Sequence, residues 1–377
     1  MKIAFNGHRL AGQRLGVGRY IEYLLLNWNE MLAPGEEVTV FVRQPLDPKT
    51  LSNLRLTSSI RPKLLPPDMP GIPWENLRLR GEAAKADVLF CPAYTAPVYY
   101  RHPIVVATHS VNEIQSSAHS WMHRQTYCRL YKHAARRADA VIVPAQVTAT
   151  DLVRLYGVEA KRIFIVPQGA DPCFKPMHDE HALRKVREKF FGTNRPYILF
   201  VGKCSPRRNI PMLLEAFAML RKQRDLPHGL LLFGPNVAEL PLQDLCRDLG
   251  IADAVVQTDG KVESHLELVP IYNAADVFVH PSEYEGWSMT TTEALACGRP
   301  VIASNRGGLG ELAAGHAFMI DDPSASAFAD AIGRVLTDDA LRRDLEQRAR
   351  ARGASLTWQD TSRQTLQVLR DVAARAH

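Results

Sequence analysis

The sequence predicts an α/β protein made of two domains, each built around a parallel sheet. A chain of 377 residues is longer than the size at which a single core stops growing. Short apolar runs bounded by turn residues alternate with helical segments, which is the pattern of consecutive βαβ units. With 46% hydrophobic and 23% charged residues, the composition supplies apolar side chains for two sizeable cores.

The predicted strands are runs of contiguous apolar residues, as expected for parallel strands that are covered on both faces. Helices are predicted between them, and we expect an exposed, proline-rich loop over residues 64–74. The strands of the first half are Lys2–Asn6, Val38–Val42, Lys85–Phe90, Ile104–Ala107, Val141–Val143 and Ile163–Val166, and those of the second half are Tyr197–Val201, Gly229–Phe233, Asp276–His280 and Val301–Ala303.

One stretch, residues 276–311, carries the clearest chemical signal. A strand ending at His280, a loop, a helix over Met289–Cys297 and a second strand form a βαβ unit. Ligands of such units collect at the carboxyl end of the strand, where the N–H groups of the helix start favour an anion such as phosphate. Glu285 and Glu293 lie in the same stretch, and a carboxylate can accept hydrogen bonds from two vicinal sugar hydroxyls.

The string EGWSMTTTEALACGRPVIAS, with two glutamates separated by seven residues, resembles the donor-site signature of the retaining family 4 glycosyltransferases. That family has the GT-B fold, in which two Rossmann-like domains face each other across a cleft. The resemblance implies that Glu285 lies near the donor sugar and that Glu293 binds the ribose of the nucleotide. It also implies that the diphosphate contacts the backbone amides between them, at Gly286, Trp287, Ser288 and Met289.

Near the N-terminus, Gly16 and Gly18 precede a helix predicted from Tyr20, with Arg19 beside them. Glycines at such a place let the backbone approach a pyrophosphate closely. The loop resembles the G-[IV]-G-R-Y loop of the same family, with Leu15 in place of a first glycine. The dinucleotide-binding fingerprint is excluded, because its third glycine and the acidic residue after the next strand are missing.

The predicted strand Ile104–Ala107 brings Thr108, His109 and Ser110 to its carboxyl end, which is a frequent place for active-site residues in an α/β sheet. A single histidine at that place can be structural or functional. The family resemblance implies that His109 sits beside the donor sugar, with Ser110 where an aspartate is common.

In the second half, a predicted strand ends in the segment GKCSPRRN, which starts at Gly202 and precedes a helix over Ile210–Leu220. Lys203 and Arg208 could clamp a diphosphate there, or they could be two exposed cations. The segment resembles the family pattern G-R-x4-K-N with the two basic identities exchanged. Since Lys and Arg differ in their contacts to phosphate, the exchange changes the expected geometry.

Two further segments resemble donor-side elements of the family. Lys261 and Val262 belong to a segment that resembles the lining of the nucleobase pocket. Gly307, Gly308 and Glu311 match the pattern G-G-x-x-E.

The segment from Pro167 to Pro172 resembles the interdomain linker of the family, with Gln168 where an asparagine is usual. We expect an N-terminal acceptor-binding domain of residues 1–168 plus 356–377, and a donor-binding domain of residues 173–355. The resemblance implies that the last helix, anchored by Trp358, crosses back onto the first domain.

Charge is shared unequally between the two halves. Residues 1–172 contain 21 Lys and Arg against 14 Asp and Glu, about +7, whereas the whole chain carries +6. This suggests an anionic partner such as a phosphorylated lipid, a membrane or an acidic glycan, with ordinary surface asymmetry as the alternative. A helix predicted over Ser120–Ala138 has one basic face that suits either a membrane surface or solvent, and it carries too few aromatic residues to predict a nucleic-acid partner. The basic residues are Arg129, Lys132, His133, Arg136 and Arg137.

The sequence shows no secretory signal, and no apolar stretch approaches 18 residues. Its six cysteines have no C-x-x-C spacing, and its aspartates include no D-x-D pair. We therefore expect a cytoplasmic protein with reduced thiols and without a metal site, with peripheral contact to the inner face of the membrane as an option.

Together, the residues and the resemblance predict a retaining, metal-independent hexosyltransferase of cell-surface polysaccharide or lipopolysaccharide synthesis. The donor would be a nucleotide diphosphate sugar, with no further cofactor, and the acceptor a glycan or a lipid-linked sugar. GDP-mannose is favoured as donor, because the sequence around Trp74–Glu75 and Ala93–Pro97 resembles mannosyltransferases of polysaccharide synthesis. UDP-glucose or another UDP-sugar is the alternative.

The catalytic candidates are His109, Lys203, Arg208 and Glu285. The cations would stabilise the leaving diphosphate, which in turn would accept the proton of the acceptor. Two other functions stay open: a GT-B epimerase or phosphorylase, and a non-catalytic protein that binds nucleotide sugars or membranes.

Overall fold

The computed structural model describes residues 1–10, 16–111, 124–262 and 264–375. The chain divides into two compact units, one of Met1–Gln168 with the segment from Trp358 onward, and one of Gly169–Thr357. The second unit thus begins before the expected residue 173 and ends after the expected residue 355.

The first unit contains a seven-stranded sheet in the order β3-β2-β1-β4-β5-β6-β7, and every strand pair in it is parallel. Its central strands are buried throughout, as the contiguous apolar runs predicted. The strands are β1 Lys2–Asn6, β2 Glu37–Val42, β3 Ile60–Leu64, β4 Val88–Cys91, β5 Ile104–Ala107, β6 Ala140–Val143 and β7 Ile163–Ile165.

The edge strand β3 was not predicted. Four of its five residues are exposed and it contains Pro62, so it has neither an apolar run nor an alternating pattern. Proline is tolerated there because an edge strand has a side that makes no ladder hydrogen bonds. The position of β3 was therefore decided by pairing with β2 rather than by its own composition.

The prediction of an exposed loop over residues 64–74 is wrong for its C-terminal part. A helix begins at Gly71, and Trp74 within it is fully buried, with its indole N–H donating to the carbonyl of Leu65 at 2.9 Å. The helices of the first unit are α1 Val17–Met31, α2 Pro48–Leu54, α3 Gly71–Trp74, α4 Arg80–Ala83, α5 Arg129–Arg137, α6 Gln146–Asp151 and α15 Trp358–Ala374, with π-helical turns at Glu75–Leu79, Arg124–Cys128 and Leu152–Tyr156 and a 3₁₀ turn at Ala160–Arg162.

The helix predicted over residues 120–138 lies partly outside the described residues, which resume at residue 124. The last helix, α15, packs on α1 of the first unit, as expected. The ring of Trp358 stacks on Tyr23 with 4.7 Å between centroids, and Arg370 forms an ion pair with Glu36 at 2.6 Å.

The second unit contains a six-stranded parallel sheet in the order β10-β9-β8-β11-β12-β13. Its core lies where the helices over Ile210–Gln223 and Ala325–Thr337 pack together against the sheet. The strands are β8 Tyr197–Val201, β9 Gly229–Phe233, β10 Val255–Thr258, β11 Val277–His280, β12 Val301–Ser304 and β13 Phe318–Ile320. The helices are α7 Glu180–Phe191, α8 Ile210–Gln223, α9 Leu242–Asp248, α10 Leu268–Asn273, α11 Met289–Ala296, α12 Gly308–Ala313, α13 Ala325–Thr337 and α14 Asp339–Ser355, with 3₁₀ turns at Pro206–Arg208 and His265–Glu267.

Both sheets therefore have the Rossmann-like arrangement that the sequence predicted. In each sheet the strand order reverses once, between β1 and β4 in the first unit and between β8 and β11 in the second. Ligands of such sheets bind at the carboxyl ends of the strands at this switch point. Among the described residues, no helix has both the length and the apolar composition of a membrane span.

Candidate active site

At the switch point of the second sheet, the chain leaves β11 at His280, forms a short loop and enters α11 at Met289. Ser288 caps this helix: its hydroxyl accepts from the backbone N–H of Thr291 at 3.2 Å. The helix ends before Gly298, which has φ +68°, a left-handed conformation that glycine adopts without steric cost. The predicted strand, loop, helix and strand are all present, so both ends of the loop at 281–288 are held by regular secondary structure.

Glu285 is the centre of this loop. Its Oε1 lies 2.8 Å from Nη1 of Arg207, 3.1 Å from Nε of Arg208, 3.2 Å from Oγ of Ser282 and 3.3 Å from Nε2 of His280. Burial alone would raise the pKa of Glu285, but Arg208, His280 and Arg207 hold it well below its ordinary value. Glu285 is therefore an ionised carboxylate that orders two guanidinium groups.

Arg208 reaches this position because residue 202 has no side chain. Gly202 has φ +145°, and a Cβ added to it would overlap Nη1 of Arg208. That Nη1 atom is buried and has no hydrogen-bond partner among the described residues. A buried guanidinium N–H without a partner costs free energy, so this atom is a candidate contact for a bound anion at the end of β8.

The loop is held from the other side by Gly307 and Gly308. The backbone N–H of Gly308 donates to the carbonyl of Glu285 at 2.6 Å, and a Cβ on Gly308 would overlap the carbonyl of Gly286. The two glycines of the pattern G-G-x-x-E are thus needed for close backbone packing. Its third member, Glu311, is exposed at the start of α12.

Glu293 lies in α11 and is almost fully buried. Its Oε2 accepts a hydrogen bond from the hydroxyl of Tyr272 at 2.7 Å. Tyr272, on α10, is itself fully buried. The carboxylate is therefore fixed in direction before any ligand arrives.

The two lysines of the second unit that the sequence singled out, Lys203 and Lys261, are less constrained. Lys203 is exposed, and no described contact joins it to Glu285 or Arg208. Lys261 pairs with Asp259 at 3.0 Å and is largely exposed, and the neighbouring Val262 is half-buried. Arg207 and Arg208 are therefore the two cations ordered beside Glu285, and the expected diphosphate clamp of Lys203 and Arg208 stays a prediction.

In the first unit, His109 follows β5 and is packed between two rings. The ring centroids of Tyr20 and Tyr94 lie 4.7 Å and 5.4 Å from its own, both in edge-on contact. Its Nε2 lies 2.8 Å from the carbonyl of Pro92, and its Nδ1 lies 2.9 Å from Nε2 of Gln168. Loss of solvent lowers the pKa of His109 to about 4, against the opposing hydrogen bond to Pro92, so its imidazole is neutral at physiological pH.

The glycine loop near the N-terminus differs from the prediction in one respect. Helix α1 begins at Val17, three residues before the expected Tyr20, with Gly16 as its N-cap at φ +38°. Gly18 and Arg19 consequently lie in the first turn of the helix rather than in a loop before it, and both are buried. Gly16 remains exposed at the helix start.

Two family models match nearly the whole chain. The model described as Glycosyltransferase Family 4 matches residues 15–173, and the model described as Glycosyl transferases group 1 matches residues 184–352. The chain belongs to the glycosyltransferases with the GT-B fold.

This glycosyltransferase is 32% identical over 244 residues to the D-inositol 3-phosphate glycosyltransferase of Xylanimonas cellulosilytica, in a match that covers 63% of this chain and 58% of that protein. It is 28% identical over 230 residues to O-antigen chain mannosyltransferase B of Escherichia coli, with 61% and 60% covered. The structure of Anabaena HepE in complex with UDP-glucose is similar, with 18% identity, a TM-score of 0.77 and 99% and 100% of the two chains covered. The matches to the two curated relatives thus span little more than half of their lengths.

Four residues that contact the candidate groups within the two units were missed by the sequence reasoning. They are Arg207 and His280 beside Glu285, Tyr272 beside Glu293, and Gln168 beside His109. His280 could have been found, because it is the last residue of a buried strand and so stands at the ligand-binding edge of the sheet. Tyr272 and Gln168 are far in sequence from their partners, and no local pattern connects them.

Proposed function

We propose that this glycosyltransferase transfers a hexose from a nucleotide diphosphate sugar to a glycan or lipid-linked acceptor, with retention of the anomeric configuration. The observation that carries the proposal is the partly buried pair Arg207 and Arg208, ordered by Glu285 at the switch point of the second sheet. Nη1 of Arg208 is buried there without a partner among the described residues. A diphosphate oxygen is a suitable acceptor for it.

The chemistry requires stabilisation of the leaving diphosphate, because cleavage of the anomeric C–O bond leaves negative charge on it. Arg208 and the N-terminus of α11, which begins at Met289, are the groups that would bear this charge. In the proposed mechanism they replace a metal ion. Lys203 and the Gly16 loop keep the diphosphate-binding roles that the family resemblance implies.

Glu285 is a poor nucleophile in its observed setting. Its Oε1 faces two guanidinium groups, a hydroxyl and an imidazole, and these contacts stabilise the negative charge that a nucleophile would have to give up. The proposed mechanism therefore lets the leaving phosphate accept the acceptor's proton on the same face of the sugar. His109, neutral and firmly packed, is proposed to contact the donor sugar rather than to transfer a proton.

For the donor, we favour GDP-mannose. The likeness to an O-antigen mannosyltransferase supports mannose, whereas the likeness to HepE, whose structure contains UDP-glucose, supports a UDP-sugar. Glu293 is proposed to bind the ribose, which both nucleotides share, so it does not discriminate between them.

The basic part of the first unit is the proposed contact to an anionic membrane at the inner face. Leu77 and Tyr99 are 71% and 75% exposed. The residues that precede them are hydrogen-bonded to each other, because the N–H of Val98 donates to the side-chain oxygen of Asn76 at 2.8 Å. His133 of the basic helix α5 bonds to the carbonyl of Val98, so apolar and basic side chains share one surface, as in interfacial membrane contacts.

One experiment tests the proposed function as a whole. The purified protein is incubated with GDP-mannose, UDP-glucose or UDP-N-acetylglucosamine in EDTA, with and without a crude lipid-linked acceptor, and the nucleotide and glycoside products are analysed. We expect one nucleotide diphosphate to be released only with acceptor, with the anomeric configuration retained. Conversion of the donor without acceptor would instead indicate an epimerase, and a strict need for added Mg²⁺ or Mn²⁺ would exclude the metal-independent mechanism.

A further inference from the structure

We propose that Gln168 is a positioning residue that, together with the carbonyl of Pro92, holds His109 in one tautomer, and that it connects this histidine to the segment through which the chain leaves the first unit. The kinetic part of this inference rests on the proposed function. The structural part does not, because it concerns the hydrogen bonds of His109 in the unliganded protein.

The hydrogen-bond directions follow from the partners. The carbonyl oxygen of Pro92 can only accept, so Nε2 of His109, 2.8 Å away, must carry the proton. In the neutral ring Nδ1 then has a lone pair and accepts from the side-chain amide of Gln168 at 2.9 Å. The two contacts together admit a single tautomer, since exchanging the protons would place two acceptors, or two donors, against each other.

Rotation of the ring is restricted as well. Tyr20 and Tyr94 contact the imidazole edge-on from two sides. Gln168 is itself 5% exposed, so water has little access from which to replace its amide. Glutamate at this position would present only acceptors when ionised, and asparagine is one methylene shorter.

The position of Gln168 in the chain connects its contact with His109 to the end of the first unit. Gln168 is the last residue of the first unit, and the chain returns to that unit at Trp358. The carbonyl of Pro167 accepts from the hydroxyl of Thr361 at 2.7 Å, and the ring of Trp358 contacts Tyr20 at 6.0 Å between centroids. The segments where the chain leaves and re-enters the unit are therefore hydrogen-bonded to each other, and both lead to His109.

A change of backbone torsion at residues 168–169 would move the amide of Gln168 and release Nδ1 of His109. Without this partner, only the hydrogen bond to Pro92 would orient the ring, so the tautomer would be fixed from one side alone and the direction of the Nε2–H group would be less defined. We infer that the orientation of His109 depends on the conformation of the segment between the units.

The test is NMR of protein labelled with ¹⁵N-histidine, in which His109→Asn identifies the resonances of His109. In the wild type we expect a protonated Nε2 and an unprotonated, hydrogen-bonded Nδ1. Gln168→Met keeps the length of the side chain and removes the donor, so it should move the Nδ1 shift of His109 to that of a ring nitrogen without a hydrogen bond and admit exchange with the second tautomer. Gln367→Met, on the exposed side of α15 with its amide bonded to Asp371, is the matched control and should leave His109 unchanged.

Kinetics then separate positioning from folding. We expect Gln168→Met to lower kcat by roughly tenfold to a hundredfold with little change in the KM of the donor, and to retain a cooperative thermal transition. Should Gln168→Met fail to fold, Gln168→Asn provides the same comparison.

Wild-type ¹⁵N shifts of His109 in Gln168→Met, or in Gln168→Asn if that variant has to replace it, would overturn the proposal, whatever the activity. If the ¹⁵N shifts of His109 change but the protein transfers no sugar, the positioning role stands and the proposed function is wrong.

Discussion

Nε of Arg208 lies 3.1 Å from Oε1 of Glu285, and Nη1 of the same guanidinium lies against Gly202 at the end of β8. Glu285 thus fixes the direction of the Arg208 guanidinium. Nη1 of this guanidinium lies at the carboxyl end of β8, and parallel sheets bind their ligands at the carboxyl ends of the strands. In the proposed mechanism, the first of the two glutamates in the signature therefore orders the cation that would contact the diphosphate, in addition to any contact with the sugar.

Replacement of Arg208 by alanine should lower kcat by a factor of about 10² to 10³, the usual loss when one preorganised group that stabilises developing charge is removed. Arg208→Lys should recover only part of this, because lysine cannot bond to Glu285 and an anion in the same fork geometry. Steady-state kinetics with the identified donor provide the measurement. The control is Arg221→Ala, which removes an arginine that pairs with the exposed Asp253. Near-normal turnover of Arg208→Ala would remove this residue from the diphosphate site.

Glu285→Gln should destabilise the protein by roughly 3 kcal/mol at pH 7, because it leaves two largely buried guanidinium groups without their carboxylate. The folded-state pKa of Glu285 is depressed, so its stabilising effect is present above pH 4.5 and is lost as the pH falls through the folded pKa. Denaturant unfolding at pH 7 and pH 3.5 should therefore show a smaller difference from wild type at the lower pH. Glu283→Gln, an exposed neighbour, should have no comparable effect. Equal destabilisation at both pH values would contradict the assignment.

Glu293→Gln should weaken donor binding by tenfold or more, since a carboxylate that accepts from two ribose hydroxyls contributes about 1.5 to 3 kcal/mol for each charged hydrogen bond. Tyr272→Phe should have a smaller effect of the same kind, because the phenol only orients the carboxylate. Calorimetric titration with GDP and UDP measures both, and Glu215→Gln on the exposed side of α8 is the control. Unchanged affinity in Glu293→Gln would place the ribose elsewhere.

A buried carboxyl in the first unit should make stability depend on pH. Burial raises the pKa of Glu75 from 4.5 to about 7, with its hydrogen bonds from Thr95 and Asn6 opposing this. The folded protein therefore binds the proton more tightly than the unfolded chain, and about 3 kcal/mol of stability is lost between pH 4.5 and pH 7. Glu75→Gln should remove this loss, so its stability relative to wild type should rise across that range.

His8 lies 3.6 Å from the same carboxyl, and burial, Arg9 and Arg43 lower its pKa to about 3. His8 therefore also contributes to the pH dependence of stability, and the comparison of wild type with Glu75→Gln cancels most of that contribution. Chemical unfolding at pH 4, 5.5, 7 and 8 measures the difference. Glu37→Gln on the exposed side of β2 should show none. A difference that does not vary with pH would mean that Glu75 is ionised throughout.

The elements around Glu285 were predictable because their signals are local. A buried strand, a serine at the N-cap, a glycine at the helix end and a proline before the next strand stand within about 25 residues, and each has one structural interpretation. The structure confirms α11 and the strands on both sides of it. Strand β3 and the helix at Gly71 were not predictable in this way, because an exposed edge strand and a short helix depend on what packs against them.

By itself, the sequence determined the α/β class, the position of most of the parallel strands, and the loop and helix that carry the two glutamates, since these depend on apolar periodicity and on turn chemistry that neighbouring residues specify. Only the tertiary structure decided which charges meet. Arg207 and Arg208 face Glu285, Tyr272 faces Glu293, and Gln168 faces His109 because separate strands end at one edge of a sheet or because distant segments pack together. Hydrogen-bond partners are decided by distances in space that must be right to within a few tenths of an ångström. The separation of two residues along the chain carries no information about such distances.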